Sequence, residues 1–257
     1  MICNANYYGT WNLFKKETLR FLKVYHQTIL SPVINALLLL AIFSLAIGDR
    51  IKDINNMEFE FFMAPGLIVM AAMQNAFANT SSSFVMGKVL GHIIDYLIPP
   101  IGSNEILIAM VTSAALRGIM VGAAAFAAIY IFVPMSFHDF FHALFCLICA
   151  TVFLGLLGML CGIISESFDH MSAITSYLIT PLTFLSGTFY SINNLPEFWQ
   201  KIAFCNPFFY MIDGFRYGLT GYIDGNKEIG IIVMLSVNIA LWIIISIMLK
   251  RGYKIKN

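Results

Sequence analysis

Charge is scarce in this sequence. Of its 257 residues, 59% are apolar and only 11% are charged, whereas soluble globular domains have about a quarter charged residues. The mean hydropathy is correspondingly high, at +0.80. This composition excludes an ordinary soluble domain and predicts an integral membrane protein.

Cysteine is also sparse. The five cysteines are odd in number, and Cys146, Cys149 and Cys161 lie within long apolar stretches, so no disulfide framework is expected. Cys146 and Cys149 form a C-x-x-C motif, but no histidine or carboxylate lies between or directly beside them. We interpret them as small packing residues and expect no bound metal.

Nucleotide-binding and hydrolase motifs are missing. There is no G-x-x-x-x-G-K-[ST] loop, because Gly87-Lys88 is followed by valine and lacks the upstream glycine. Any ATP must therefore bind to another chain. H-E-x-x-H and G-x-S-x-G are missing as well, so an intramembrane enzyme, one alternative class, would rest on Asp213 and Asp224 alone.

Long uncharged stretches are what the sequence does contain. Each is long enough to cross a bilayer once as a helix, which takes about 20 residues, and the two-residue alternation of a barrel strand is missing. We predict an all-α integral membrane fold with six transmembrane helices. The predicted spans are 28–48, 63–85, 106–134, 140–164, 171–190 and 229–249.

Lysine and arginine cluster at both ends of the chain. Four precede the first predicted span and four follow the last. Because an even number of spans places both termini on one side, and basic residues favour the cytoplasm, we predict cytoplasmic termini. A small-x-small pattern at Ser44-Leu45-Ala46 resembles a cleavage site, but the basic region and the apolar run exceed those of a signal peptide.

The stretch 7–25 predicts an interfacial helix. Its aromatic residues recur at three- and four-residue steps, roughly opposite three lysines. Such a helix would place its aromatic side chains in the headgroup region and its lysines toward anionic phosphates. A basic anchor without further function is the open alternative.

The stretch 87–103 connects the second and third predicted spans. Apolar residues alternate there with Lys88, His92 and Asp95, and Pro99-Pro100 prevents a helix from continuing. We predict a short amphipathic cytoplasmic helix that docks on another protein. A plain connector is the alternative.

The third predicted span contains an arginine and a pair of glycines. Arg117 lies about 16 Å inside the span at 1.5 Å per residue, where it must face the bundle or a wet cavity. It is either on a path for an anionic or polar substrate or a structural residue of the bundle. Gly118 and Gly122, like Gly158 and Gly162 in the next span, form G-x-x-x-G patterns that permit close helix contact.

The stretch 191–221 is broken twice by proline. Asn194 is a candidate cap for a helix beginning near Pro196, and Asn206-Pro207 begins a second helix that should end at Gly221. The first helix, with about ten residues, reaches only about 15 Å and cannot cross the bilayer. We predict a re-entrant helical pair on the outer side, whose broken backbone lines a cavity.

Two side-chain patterns accompany this pair. Asp213 and Arg216 lie three residues apart, where they can form an ion pair on one helix face. The aromatic residues are expected in the interfacial belt. They are Trp199, Phe204, Phe208, Phe209 and Tyr210.

Three stretches carry a resemblance to a known family. They are "NLFKKETLRFLKVYHQTILSPVINALL", "GKVLGHIIDYLIPPIGSNEI" and "GTFYSINNLPEFWQKIAFCNPFFYMIDGFRYGLTG". In their order along the chain and in their residues, these stretches resemble the connecting helix, the coupling segment and the signature before the last span of ABC-2 type transporter membrane subunits. The resemblance covers nearly the whole chain, 1–257, as one transmembrane domain.

This resemblance implies the permease half of an ATP-driven bacterial inner-membrane exporter of lipids, glycolipids, polysaccharides or drugs. It would pair with a second copy of itself and two copies of a separate ATPase, which would hold ATP and Mg²⁺; membrane lipid surrounds it, and nucleic acid is not an expected partner. The coupling segment has one lysine where the family often has a dense acidic run. A secondary transporter or channel without an ATPase is the remaining alternative.

Roles are expected for individual residues. Arg117 is assigned to the substrate pathway from its depth and charge alone, and the other roles are implied by the resemblance. The residues expected at the ATPase are Glu17, Arg20, Lys88, His92, Asp95 and Pro99. The residues expected at the outer re-entrant gate are Gly187, Pro196, Trp199, Asn206, Pro207, Asp213 and Arg216.

Overall fold

A computed structural model describes residues 6–47, 53–54, 57–92 and 101–253. The described chain is almost entirely helical, as predicted, with one hairpin of two-residue strands, β1 (Asp53–Ile54) and β2 (Met57–Glu58). The α-helices are α1 (Tyr7–Leu22), α2 (Ser31–Ile47), α3 (Phe59–Val89), α4 (Ser103–Tyr130), α5 (Phe140–Ile164), α6 (Phe168–Ile174), α7 (Thr180–Phe184), α8 (Glu197–Phe204), α9 (Pro207–Thr220) and α10 (Lys227–Arg251). Shorter helical segments are the π-helices His26–Leu30 and Thr175–Ile179 and the 3₁₀ turn Ile192–Asn194.

Five helical segments in the described chain are long and apolar enough to cross a membrane. They are His26–Ala46, Phe59–Val89, Ser103–Tyr130, Phe140–Ile164 and Lys227–Arg251. α4 ends at Tyr130, four residues before the end of the third predicted span, and the chain turns just before Pro134. The remaining predicted span, 171–190, has a different form.

In place of that span the chain forms what we name the α6–α7 run, over 168–184. It consists of seven α-helical, five π-helical and five α-helical residues. Seventeen residues reach only about 26 Å, less than the hydrocarbon thickness of about 30 Å, and the chain turns at Gly187, where φ is +72°. Six spans are therefore not confirmed, and a crossing by this run stays a prediction.

α3 forms the centre of the bundle. It packs against α5, α4, α9 and α2, and 83% of its most apolar window is buried, compared with 17% for α2 and α10. Its uncharged sequence from Phe61 to Gly87 allows burial on nearly every side. α2 and α10 therefore lie at the periphery, with about half of their side chains exposed.

The predicted glycine contacts hold α3, α4 and α5 together. A Cβ atom at Gly118 would lie 2.6 Å from Thr151 Cγ2 and 2.8 Å from the Ala72 carbonyl oxygen, and one at Gly162 would lie 2.6 Å from Phe84 Cβ. Only glycine allows the backbones to approach this closely. The small residues thus set the helix spacing in the core.

Candidate functional site

One stripe of α3 is left uncovered by the other residues that the structure describes. Gln74, Ala78, Ser82 and Met86 follow one another at four-residue steps and are partly or fully exposed, although nearly all other residues between Phe62 and Gly87 are buried. Residues four apart lie on the same face of a helix. We name this stripe the open face.

Two cavities flank the open face and share Gln74. The smaller, of about 110 Å³, lies between α2 and α3 and also contacts Asn35 and Asn75. The larger, of about 340 Å³, lies between α3 and the α6–α7 run. Its polar lining consists of Gln74, Ser81, Ser82, Ser172, Thr175, Ser176 and Thr180.

The π-helical segment of the α6–α7 run lies beside the larger cavity. The backbone N–H of Thr180 donates to the Thr175 carbonyl oxygen, five residues earlier, and the Thr180 hydroxyl donates to the same oxygen at 3.1 Å. This i to i−5 spacing widens the helix by one residue, and such widening is frequent at functional sites. No local pattern in the sequence marks this segment, because Thr175–Ile179 contains neither glycine nor proline.

A polar layer lies at mid-depth beside the open face. Gln74 is the sixteenth of the 31 residues of α3, and Arg117 is the fifteenth of the 28 residues of α4. Arg117 therefore lies about 21 Å from the start of its helix, deeper than the sequence suggested. Its Nη2 donates to Asn75 Oδ1 at 3.2 Å, while its buried Nε has no hydrogen-bond acceptor among the described residues.

The amide of Gln74 is also unpaired within the described chain. An amide near the middle of a membrane helix is costly unless another polar group or water reaches it. Sequence reasoning missed Gln74, Asn75 and Ser82, although polar residues within an uncharged span were a visible signal.

Glu17 and Arg20 connect α1 to α3. Arg20 Nη2 lies 3.1 Å from Glu17 Oε2 and donates to the backbone oxygen of Asn79 at 2.7 Å and to its Oδ1 at 3.1 Å. Arg20 Nη1 donates to Ser82 Oγ at 3.3 Å, so the ion pair reaches the open face. The side chain of Glu17 is fully buried and faces the interior of this chain.

The other residues assigned to coupling lie around the end of α3. The ammonium of Lys88 donates to the carbonyl oxygens of Ile163 and Ser165 at the C-terminal end of α5, where a cation is favourable. Gly87 and Lys88 belong to α3, and the predicted separate helix does not begin there. His92 is exposed; Asp95 and Pro99 lie outside the described residues.

Arg216 connects three parts of the chain, α9, α3 and the turn after α7, at the opposite end of the bundle. Its fully buried guanidinium donates from Nε to the Phe62 carbonyl oxygen at 3.0 Å and from Nη2 to the Gly187 carbonyl oxygen at 2.6 Å. Its Nη1 lies 3.5 Å from Asp213 Oδ1, and its Cζ lies 3.8 Å from the centre of the Phe62 ring. The predicted ion pair between Asp213 and Arg216 is present, and it is buried.

The two aspartates of the enzyme alternative serve as acceptors here. Asp213 accepts the backbone N–H groups of Asp224 and Gly225 at 3.0 and 2.9 Å. Asp224 accepts the hydroxyls of Ser191 and Tyr222, both at 2.6 Å. These bonds hold the loop after α9 in place, with both carboxylates used as structural acceptors.

The second helix of the predicted pair has the expected bounds. α9 begins at Pro207, where Asn206 Oδ1 accepts the Phe208 N–H and Asn206 Nδ2 donates to the Leu182 carbonyl oxygen at 2.8 Å. It ends at Gly221, whose φ is +77°. A re-entrant course for the pair stays a prediction.

The first helix and the aromatic belt were predicted incorrectly in part. α8 begins after Pro196, which has no side-chain cap, and Asn194 belongs to the preceding 3₁₀ turn. Trp199 is exposed, as a belt residue would be, but Phe208 and Phe209 are buried in the core. Phe208 packs against Phe153 of α5, with ring centroids 5.4 Å apart, whereas Phe209 is enclosed with Ile192 and Ala203 in a separate small cluster.

Further polar contacts join the ends of α5 and α10. The His142 N–H donates to Asp139 Oδ1 at 3.0 Å, and Lys227 Nζ lies 3.4 Å from Oδ2. The His142 N–H and the Lys227 ammonium together hold the pKa of Asp139 below its ordinary value. Sequence reasoning also missed that His142, one turn before Cys146, contacts that thiol, with Nε2 3.5 Å from Sγ.

Comparison with known proteins bears on what this site does. The family model described as ABC-2 type transporter matches residues 8–220. The chain is 35% identical over 246 residues to the inner membrane transport permease YadH of Escherichia coli (strain K12), covering 96% of each chain.

Two further relatives are more distant. Over 252 residues the chain is 23% identical to nodulation protein J of Rhizobium leguminosarum bv. viciae, covering 96% of this chain and 94% of the relative. Over 84 residues it is 32% identical to the capsule polysaccharide export inner-membrane protein BexB of Haemophilus influenzae, covering 33% and 32%. The family match spans most of the chain and the permease match nearly all of it, so this protein is a multi-pass membrane permease that belongs to the ABC-2 type transporter family.

Proposed function

We propose that this protein is the membrane subunit of an ATP-driven exporter, in which two copies form the substrate pathway and a separate ATP-binding subunit supplies the energy. The proposed location is the bacterial inner membrane, with both termini in the cytoplasm. The observation that carries the proposal is the open face of α3, with its two flanking, partly polar cavities and the unpaired amide of Gln74 at mid-depth.

The polarity of the open face argues against lipid as its neighbour. Hydrocarbon offers no hydrogen-bond partner to an amide or a serine hydroxyl, so polar groups in spans face the bundle, a second subunit or water. A second copy placed against the open face would enclose the two cavities of each chain in one passage. Export of a molecule with a polar headgroup would use such a passage.

α3 is suited to couple the two ends of this passage. It is one continuous helix of 31 residues. One end is followed by the predicted coupling segment, and the other receives Arg216 through the Phe62 carbonyl oxygen. We propose that closure of the ATPase subunits on nucleotide displaces the coupling segment, and that α3 and the ion pair at Arg20 transmit this displacement to the open face.

Cysteine cross-linking tests the pairing of the two copies. We expect Ser176→Cys, on the α6–α7 run beside the larger cavity, to link two copies through a short bismaleimide and to lower ATP hydrolysis by the complex with its ATPase. The background would carry Cys3→Ala and Cys205→Ser. The matched control is Ile232→Cys, at a position 66% exposed on α10. This variant should not form a cross-linked dimer. Equal cross-linking at both positions would remove the open face from the dimer contact.

Arg117 is proposed to attract the anionic group of the cargo. Its partly unsatisfied guanidinium beside Asn75 supports this role. We expect Arg117→Gln to lower vanadate-sensitive export of anionic cargo about tenfold, equivalent to 1.4 kcal/mol of lost charge interaction, while Arg117→Lys retains most of it. Unchanged export by a folded Arg117→Gln protein would make Arg117 a structural residue.

The cargo class is proposed from chemistry and from the relatives. A polar passage lined by hydroxyl and amide groups suits a carbohydrate or lipid-linked headgroup, and one relative is named for capsule polysaccharide export. Transport that follows an ion gradient and continues without any ATPase would favour the secondary transporter instead.

A further inference from the structure

An apolar groove, separate from the two cavities, lies on the other side of α2, away from the open face. It has a volume of about 610 Å³ and is formed by α2, the first turn of α3 and the residues just after α4. Its floor contains Leu40 and Val133, which are buried, whereas Ile34, Leu38 and Leu45 are 45–82% exposed along its sides. The groove is therefore open sideways, in the direction from which lipid can enter.

The length of the groove matches one leaflet of a bilayer. Its α2 residues run from Leu45 back to Ile34 along one helix face. Eleven residue steps correspond to about 17 Å, close to half of a hydrocarbon thickness of about 30 Å. A single acyl chain that starts at the membrane surface would end where the groove ends.

A carboxylate stands at the surface end of this apolar groove. Glu60, in the first turn of α3, is half-buried and accepts a hydrogen bond from the Ser44 hydroxyl. In the part of the chain that the structure describes, no cation pairs with Glu60. The position at a helix N-terminus favours a negative charge by itself, but it does not account for the apolar groove that leads away from it.

We propose that this groove binds one membrane phospholipid with a primary-amine headgroup, such as phosphatidylethanolamine. The acyl chain would lie along Ile34, Leu38 and Ala41, and the ammonium would donate hydrogen bonds to Glu60 and Ser44. A choline headgroup has no N–H to donate, and a phosphatidylglycerol headgroup would bring a negative charge toward the carboxylate. The inference does not depend on the proposed export function.

Native mass spectrometry of the purified protein tests this assignment. The protein is delipidated and then given phosphatidylethanolamine, phosphatidylcholine and phosphatidylglycerol in equal amounts. We expect the wild type to retain phosphatidylethanolamine about tenfold more than either competitor, as one charge-assisted hydrogen bond would produce. Glu60→Gln should lose this preference, and Ala41→Trp, which fills the groove, should lose retention of all three lipids.

Two matched controls lie next to the groove and outside its lining. Glu58→Gln removes an exposed carboxylate two residues before Glu60, and Ile42→Trp adds the same ring to α2 at a position 58% exposed. Both should behave like the wild type. Equal retention of the three lipids by the wild type would overturn the proposal without any variant. So would the separation of paired copies by Ala41→Trp with lipid retention unchanged, because the groove would then be an interface between copies.

Discussion

Replacing Arg216 with alanine is expected to lower the free energy of unfolding by about 3–5 kcal/mol, the cost of leaving a buried charge without its partner. The substitution would remove the cation that pairs with Asp213 and the donor that the carbonyl oxygens of Phe62 and Gly187 share. Because these groups belong to α9, α3 and the turn after α7, this end of the bundle should separate. Thermal unfolding in detergent, followed by size-exclusion chromatography, measures this loss.

Three companion variants make the Arg216 result interpretable. Lys201→Ala removes an exposed cation from α8 and should leave the melting temperature within about 2 °C, as surface substitutions usually do. Arg216→Lys should be destabilising as well, because one ammonium cannot reproduce the planar fork of donors. Asp213→Asn combined with Arg216→Met should recover part of the loss, since no unpaired charge remains. A melting temperature of Arg216→Ala equal to that of Lys201→Ala would contradict the structural role.

Substituting Gly158 with alanine is expected to force α5 away from α3. A Cβ atom there would lie 2.3 Å from the Phe77 carbonyl oxygen and 2.4 Å from Thr80 Oγ1. The first is backbone and cannot rotate away, and Thr80 is fixed by its 2.7 Å hydrogen bond to the Gly155 carbonyl oxygen. Overpacking of this kind typically costs about 1–3 kcal/mol, and we expect the same thermal assay to show it.

Gly230 provides the matched control for Gly158. It also lies inside a helix, near the start of α10, but the nearest atom to its added Cβ is Tyr210 Cδ1 at an ordinary 3.5 Å. Gly230→Ala should therefore be neutral or stabilising by up to about 1 kcal/mol, the helix preference for alanine over glycine. If both substitutions shifted the melting temperature equally, close packing at Gly158 would not be the cause.

The sequence by itself determined the membrane class, most of the helices and several of their ends. Uncharged stretches of sufficient length leave the backbone no alternative to helix in hydrocarbon, so α3, α4, α5 and α10 follow from composition. Asn206-Pro207 and Gly221 fixed the bounds of α9, because capping depends on adjacent residues alone. The G-x-x-x-G patterns that contain Gly118, Gly158 and Gly162 predicted the close contacts between helices.

Only the tertiary structure decided which side of each helix meets another helix. α3 and α5 are apolar nearly all round, so no periodic pattern marks a buried face, and the open face at Gln74 and Ser82 exists only because α2 and the α6–α7 run leave it uncovered. For the same reason Phe208 and Phe209 are in the core, and Glu17 is buried against its own chain. Such burial depends on residues distant in sequence, which local patterns do not encode.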